Sequence, residues 1–107
     1  MSGALEPYPS PLEVPLTLPY RDESGAEFME RFTRGLSTAT GRRVTPGTFP
    51  INLFVQRRVA VAAQNENARD VLWRALQAVR TDLSWRLLCG VGDNAMCALN
   101  VHWVTQR

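Results

Sequence analysis

The stretch that decides the fold is WRLLCGVGDNAMCALNVHWV, residues 85–104, in which two apolar runs flank a turn-like segment. Both runs alternate with a period of two, which is typical of a β-strand that buries one face. The Gly, Asp and Asn residues between the runs favour a tight chain reversal. The stretch therefore predicts a β-hairpin at the C-terminus.

Burial of the apolar residues predicts the register of this hairpin. The apolar faces consist of Leu83, Trp85, Leu87 and Cys89 in the first strand and Cys97, Leu99, Val101 and Trp103 in the second. A slip of one residue would expose one of these sets, so odd-numbered residues must pair with odd-numbered residues. The simplest such hairpin has a three-residue loop, Gly92-Asp93-Asn94. It pairs Trp85 with Val101, Leu87 with Leu99, and Cys89 with Cys97.

Three interpretations of the two cysteines follow from this register. Opposed residues in antiparallel strands have Cβ atoms about 4.5–5.5 Å apart, which approaches the separation of about 3.8 Å found in disulfides. A disulfide between Cys89 and Cys97 would close a short loop and stabilise the fold by about 2–3 kcal/mol. Two reduced core cysteines are an open alternative. A metal site is disfavoured because CxxC spacing is missing and His102 lies on the opposite face.

Residues 1–11, MSGALEPYPSP, are rich in proline and small residues, so we expect an extended arm ahead of one domain at residues 12–107. The domain opens with LEVPLTLPY, whose apolar residues at even positions predict a strand with one buried face. Pro15 and Pro19 have no backbone N–H, and both missing donors belong to the same edge of the strand. This strand therefore belongs at the border of a sheet.

Capping signals and helical spacing predict two helices. Ser24 and Glu27 form a capping-box pair ahead of an apolar stripe, which places the first helix at about residues 25–40. The second helix begins at Asn67, and its apolar stripe leaves Trp73 off the centre and half exposed.

Between the helices, short β-like runs are predicted at Ile51–Val55 and Arg58–Gln64. The element order is then strand, helix, strand or strand pair, helix, strand, strand. This order predicts an α+β fold of βαβ-βαβ type, with two helices packed on one face of a small mixed sheet and a β-hairpin at the C-terminus.

Arginine is the only basic residue type apart from one histidine, and its guanidinium group suits phosphate. Two pairs, Arg42 with Arg43 and Arg57 with Arg58, would form an interaction site if they converged in space. Ten acidic residues are interspersed and the formal net charge is only +2, so pairing with nearby carboxylates is the competing interpretation. A cytoplasmic Arg-rich module that binds nucleic acid or another polyanion is therefore an alternative hypothesis, and it requires all four arginines on one surface.

The sequence contains no recognisable catalytic constellation. His102 is the only histidine, so the pattern offers neither a two-histidine metal site nor a histidine relay. The glycines of the hairpin precede a strand, whereas a phosphate loop opens a helix. We therefore expect a non-enzymatic protein without catalytic residues, metal, cofactor or small-molecule substrate.

Several segments resemble the short N-terminal domain shared by secretins and TonB-dependent transducers. They are PINLFVQRRVAVAAQNENARDVLWRALQAV at residues 50–79, LSWRL at 83–87 and ALNVHWV at 98–104, with LEVP at 12–15 and ATG at 39–41 upstream. In that family an apolar strand, a second strand, a helix and a terminal hairpin follow one another. The resemblance assigns these elements to Ile51–Val55, Val59–Asn65, Ala68–Leu76 and Trp85–Val101.

The resemblance implies a protein–protein interaction module that acts in secretin ring packing or in signalling to a periplasmic regulator. It also implies a periplasmic or otherwise exported protein, which suits a disulfide, although a cytoplasmic location stays open. We expect another protein as the partner, rather than nucleic acid, and no membrane-spanning segment; the oligomeric state is left open. If Ile51–Val55 were the exposed edge, a partner strand would add there by β-augmentation.

Overall fold

The computed structural model describes residues 11–90 and 96–104. After a 3₁₀ turn at Pro11–Glu13, the elements are β1 (Pro15–Ser24), α1 (Gly25–Thr40), β2 (Arg43–Pro46), α2 (Ile51–Gln56), β3 (Arg58–Asn67), α3 (Ala68–Val79), β4 (Leu83–Cys89) and β5 (Met96–Trp103). The α+β class and the C-terminal hairpin are confirmed. The predicted loop at residues 92–94, and all of the predicted arm except Pro11, lie outside the described residues.

The strands of the described residues are divided between two sheets. β1 pairs with β3 in an antiparallel ribbon. In the second sheet, β5 lies between β4, its antiparallel neighbour, and β2, its parallel neighbour. Residues from both sheets and all three helices contribute to one buried apolar core.

Helix α1 begins and ends where the sequence predicts, because both of its ends have specific hydrogen bonds. The Ser24 hydroxyl accepts from the Glu27 N–H (3.1 Å), and the Glu27 carboxylate accepts from the Ser24 N–H (2.9 Å). This backbone N–H lowers the pKa of Glu27. At the other end Gly41 has a positive φ of 74°, which glycine tolerates well. The buried face of α1 includes Phe28, Met29, Phe32 and Leu36.

The prediction of a strand at Ile51–Val55 is wrong, because this segment forms the short helix α2. Only Phe54 of the helix is buried, and its ring packs edge to face against Phe49 with 5.0 Å between centroids. A helix that directs a single side chain into the core shows no clear period over six residues, so an apolar run of this length does not distinguish helix from strand. The strand that the family resemblance assigns here is corrected with it.

Buried and exposed side chains alternate in β1 as predicted only over the first half of the strand. Leu16 and Leu18 are buried, but Tyr20 is 67% exposed. The pairing with β3 shifts register between Leu18 and Arg21, and each such irregularity can reverse which face the following residues occupy. As a result, Glu23 points into the protein and only 4% of its surface is exposed.

Burial of Glu23 is compensated by Arg31 of α1. The Arg31 Nη2 lies 2.7 Å from the Glu23 Oε2, its Nε donates to the same oxygen at 2.9 Å, and its Nη1 donates to the Pro19 carbonyl at 3.0 Å. These bonds attach α1 to the second half of β1. A buried ion pair of this kind is costly to break from one side, since the remaining charge stays buried.

Replacing Arg31 alone should therefore destabilise the protein strongly. We expect Arg31→Met to lower the free energy of unfolding by about 3–5 kcal/mol, measured by urea denaturation. The matched control is Arg58→Met, which removes an exposed pair with Asp22 and should cost about 0–1 kcal/mol. The double variant Glu23→Leu/Arg31→Met should lose less stability than Arg31→Met. Equal losses for Arg31→Met and Arg58→Met would contradict the buried-pair account.

Candidate protein-interaction site

The register of β4 and β5 is the predicted one. Trp85 lies opposite Val101, and Leu87 lies opposite Leu99. A disulfide joins the Sγ atoms of Cys89 and Cys97, whose Cα atoms are 4.0 Å apart. The disulfide interpretation of the two cysteines therefore holds in this structure, and it links the end of β4 to the start of β5.

Hydrogen bonds at both ends of the hairpin show which residues of β4 bond to β5. The Val104 N–H donates to the Asp82 carbonyl at 2.8 Å, and the Gly90 N–H donates to the Met96 carbonyl at 3.0 Å. Both pairs involve even-numbered residues, and hydrogen-bonded pairs alternate along an antiparallel ladder. The N–H and C=O groups of odd-numbered β4 residues therefore point away from β5.

The opposite edge of β5 is covered by the chain that follows β2. The Gly47 N–H donates to the Leu99 carbonyl at 2.8 Å, and the Val101 N–H donates to the Thr48 carbonyl at 2.9 Å. The Asn100 side-chain oxygen accepts from the Thr48 N–H at 2.6 Å. Gly47 permits this close approach, because a Cβ atom there would clash with the Asn100 side chain. The outward Leu99 carbonyl and Val101 N–H of β5 are therefore satisfied.

β4 has no second strand partner among residues 11–90 and 96–104. Leu83, the first odd-numbered residue of β4, is buried, whereas Trp85 and Leu87 are half-buried and Cys89 is exposed. We name the outward N–H and C=O groups of Trp85, Leu87 and Cys89 the β4 edge. This edge offers backbone donors and acceptors to a strand from outside the described chain.

Side chains of different character border the β4 edge on its two sides. On the helix side, Trp73 of α3 meets Trp85 edge to face, with 6.4 Å between ring centroids, and Trp73 is 50% exposed as predicted. On the opposite side, Arg86 and Leu88 are exposed. A strand added to this edge would contact aromatic side chains on one face and a cation with an aliphatic side chain on the other.

The turn that leads into β4 carries a neutralised charge pair. The Arg80 guanidinium donates to both oxygens of Asp82, at 2.8 and 3.0 Å. The hydrogen bonds from Arg80 lower the pKa of Asp82, and those to Asp82 raise the pKa of Arg80. Asp82, the carboxylate that immediately precedes β4, is therefore already paired.

The two arginine pairs predicted as an interaction site lie at opposite ends of α1. The Arg57 carbonyl accepts from the Gly25 N–H at 3.0 Å, which places Arg57 and Arg58 beside the start of the helix. Arg42 and Arg43 follow its last turn. Because α1 has 16 residues, these ends are about 24 Å apart. The structure does not bring the four side chains together at one point.

Arg58 also has a local partner, since its Nε lies 3.2 Å from the Asp22 Oδ1. A groove of about 530 Å³ beside this pair is lined by four arginines and four carboxylates, namely Arg21, Asp22, Glu23, Glu27, Glu30, Arg31, Arg34 and Arg58. Its charges balance, so it lacks the one-signed field that a polyanion site needs.

The described residues offer neither a metal site nor a membrane-spanning helix. Within residues 11–90 and 96–104, no group of three or more His, Cys, Asp or Glu side chains is placed to hold a metal ion. In the same ranges, no helix has the length and apolar character needed to cross a membrane.

The sequence predicts the hairpin register but does not indicate the β4 edge. Side-chain alternation does not determine which pairs of an antiparallel ladder are hydrogen-bonded, and the coverage of β5 follows from a parallel pairing with β2. That pairing joins residues more than 50 positions apart, for which the sequence has no local signal.

Comparisons with models of known protein families, with curated proteins and with solved structures find no match. The β4 edge is therefore the feature of this protein that indicates a function.

Removing the disulfide should weaken the hairpin that presents this edge. We expect a reductant, or the double variant Cys89→Ala/Cys97→Ala, to lower the free energy of unfolding by about 2–3 kcal/mol. The loss is limited to this range because the loop that the disulfide closes is short. Urea denaturation with and without reductant measures the loss. Reductant should not affect the double variant, which serves as the control. Unchanged stability of the reduced wild type would contradict the expectation.

Proposed function

We propose that this protein is a non-enzymatic interaction module that binds an extended segment of another protein along the β4 edge. The observation that carries the proposal is the set of outward backbone groups of Trp85, Leu87 and Cys89, which have no hydrogen-bond partner within residues 11–90 and 96–104. An extended peptide can pair with such groups and add a strand to the sheet, which is β-augmentation. The edge at β4 replaces the edge expected at residues 51–55, which are helical.

β1 and β4 contrast in how their outer borders are protected. β1 carries Pro15 and Pro19 and has two register irregularities, features that discourage further strand pairing. β4 contains no proline, and its register with β5 is regular over all seven residues. A regular, proline-free border with half-buried apolar side chains is therefore available for pairing at β4 and disfavoured at β1.

The aromatic pair beside the edge supplies a side-chain anchor. Trp73 and Trp85 already contact each other, so a partner side chain placed against them would bury aromatic surface at a low cost in side-chain entropy. Tryptophan is enriched among the residues that dominate binding energy at protein interfaces. Backbone pairing would then provide orientation, and the tryptophans would provide much of the affinity.

We extend the proposal to the cellular compartment. The Cys89–Cys97 disulfide supports a periplasmic or otherwise exported protein, since disulfides persist in oxidising compartments. The resemblance to the short N-terminal domain of secretins and TonB-dependent transducers supports the same compartment and an interaction role. Both roles that the resemblance implies, packing in a secretin ring and signalling to a periplasmic regulator, involve contact with another protein.

A peptide display library tests the function because the selection itself identifies sequences that bind. The wild-type protein selects peptides from random ten-residue sequences, and each selected peptide is then measured against two variants. Leu87→Pro removes an outward N–H that only a partner would use and should reduce affinity at least tenfold. Leu87→Ala, the matched control, shortens the same side chain but keeps the N–H and should retain most of the binding.

Circular dichroism and urea denaturation confirm that Leu87→Pro remains folded. Trp73→Ala, which changes only the aromatic border, provides a second route and should also weaken binding. Selected peptides that bind Leu87→Pro and Trp73→Ala as tightly as wild type would refute the proposal.

A further inference from the structure

We propose that the segment bound at the β4 edge is an acidic strand, with a carboxylate beside Arg86 and apolar side chains against Trp73 and Trp85. This inference rests on the proposed function and specifies the chemistry of its partner. The juxtaposition that supports it is an unpaired cation on one side of the edge and two tryptophans on the other.

Among the described residues, Arg86 has no partner for its charge and shares its sheet face with no acidic residue. The structure gives its guanidinium no ion pair or hydrogen bond among the described residues, although five other arginines there form ion pairs. The face of the three-stranded sheet that points away from the helices carries no Asp or Glu among the described residues. That face also carries Arg43, which is likewise unpaired. The field beside the edge is therefore positive on this side.

Apolar surface accompanies the positive charge. Leu88 is 53% exposed and Met96 is 46% exposed, and both lie on the same outward face as Arg86. A partner strand that runs along β4 would place alternate side chains on this face. We expect a carboxylate where they pass Arg86 and an apolar residue where they pass Leu88.

The helix side of the edge favours apolar partner residues. Trp85 is half-buried, and Trp73 covers one part of it at an interplanar angle of 61°. No charged group is needed to satisfy these rings. The remaining side chains of the partner strand, which point to this side, should therefore be aliphatic or aromatic. The partner is predicted to alternate apolar residues with residues that include Asp or Glu.

The β4 strand of a second copy of this chain would match the predicted partner poorly, because it lacks the acidic residue. The sequence of β4, LSWRLLC, contains Arg86 as its only charged residue, so β4 paired with β4 supplies no carboxylate. The nearby Asp82 is already bound by Arg80. In the symmetric register centred on Arg86, the two arginines would face each other, and like charges directly opposed are destabilising. Charge complementarity therefore favours a different protein.

Charge reversal at Arg86 provides the test. The display selection is repeated with wild type, Arg86→Glu and Arg57→Glu as bait. Arg57 is the matched control, because it is also exposed and unpaired but lies beside the start of α1. Wild type and Arg57→Glu should select strands that alternate apolar with acidic residues, whereas Arg86→Glu should select strands with Lys or Arg at the acidic positions.

Affinities of synthetic peptides quantify the effect. A selected acidic peptide should bind Arg86→Glu about three- to tenfold more weakly than wild type, and its Glu→Lys or Asp→Lys counterpart should show the reverse order. Raising the salt concentration should reduce both differences.

Three outcomes would overturn the inference. Peptides that lose binding in Leu87→Pro but show no charge preference at Arg86 would refute the acidic partner and leave the proposed function standing. Peptides insensitive to Leu87→Pro and Trp73→Ala would refute the proposed function itself. A dimer in sedimentation velocity that Leu87→Pro dissociates would identify a second copy as the occupant.

Discussion

The odd-to-odd register of β4 and β5 is the constraint on which the core and the candidate site both depend. Cys89 and Cys97 form the pair at which this register is fixed covalently. Because side chains in a strand alternate with a period of two, the register sends Leu83, Leu99 and Val101 into the core. In this register the even-numbered pairs hold the hydrogen bonds to β5, so the backbone groups of odd-numbered β4 residues point outward. The Cys89–Cys97 disulfide is thus compatible both with a buried face of the hairpin and with an available β4 edge.

The rest of the fold leaves this edge open by occupying the other side of the hairpin. β2 and the chain after it pair with β5, where Gly47 and Asn100 fit closely together. Helix α3 packs against the helix side of the sheet and brings Trp73 to Trp85. The β1–β3 ribbon is attached differently, by the buried ion pair between Glu23 of β1 and Arg31 of α1. The β4 border therefore has a regular run of backbone groups without partners among the described residues.

The sequence predicts the elements whose signals are local. The capping box of Ser24 and Glu27 gives the bounds of α1, and alternation gives the hairpin pairing from residue 83 to residue 103. It fails where local and global requirements differ. Residues 51–56 bury only Phe54, so their helical state leaves no readable period, and the irregularities of β1 reverse the expected orientation of Tyr20 and Glu23. The β4 edge could not be located because it depends on which strand pairs with the far side of β5, a contact between distant residues.

Amide hydrogen exchange, followed residue by residue by NMR in the free protein, tests the central claim most directly. The account predicts an alternating pattern in β4. The N–H groups of Ser84, Arg86 and Leu88 should exchange slowly because they bond to β5, and those of Trp85, Leu87 and Cys89 should exchange rapidly because they face solvent. Slow exchange at Trp85, Leu87 and Cys89 in the monomeric protein would show that the chain covers its own β4 edge, and would contradict the account.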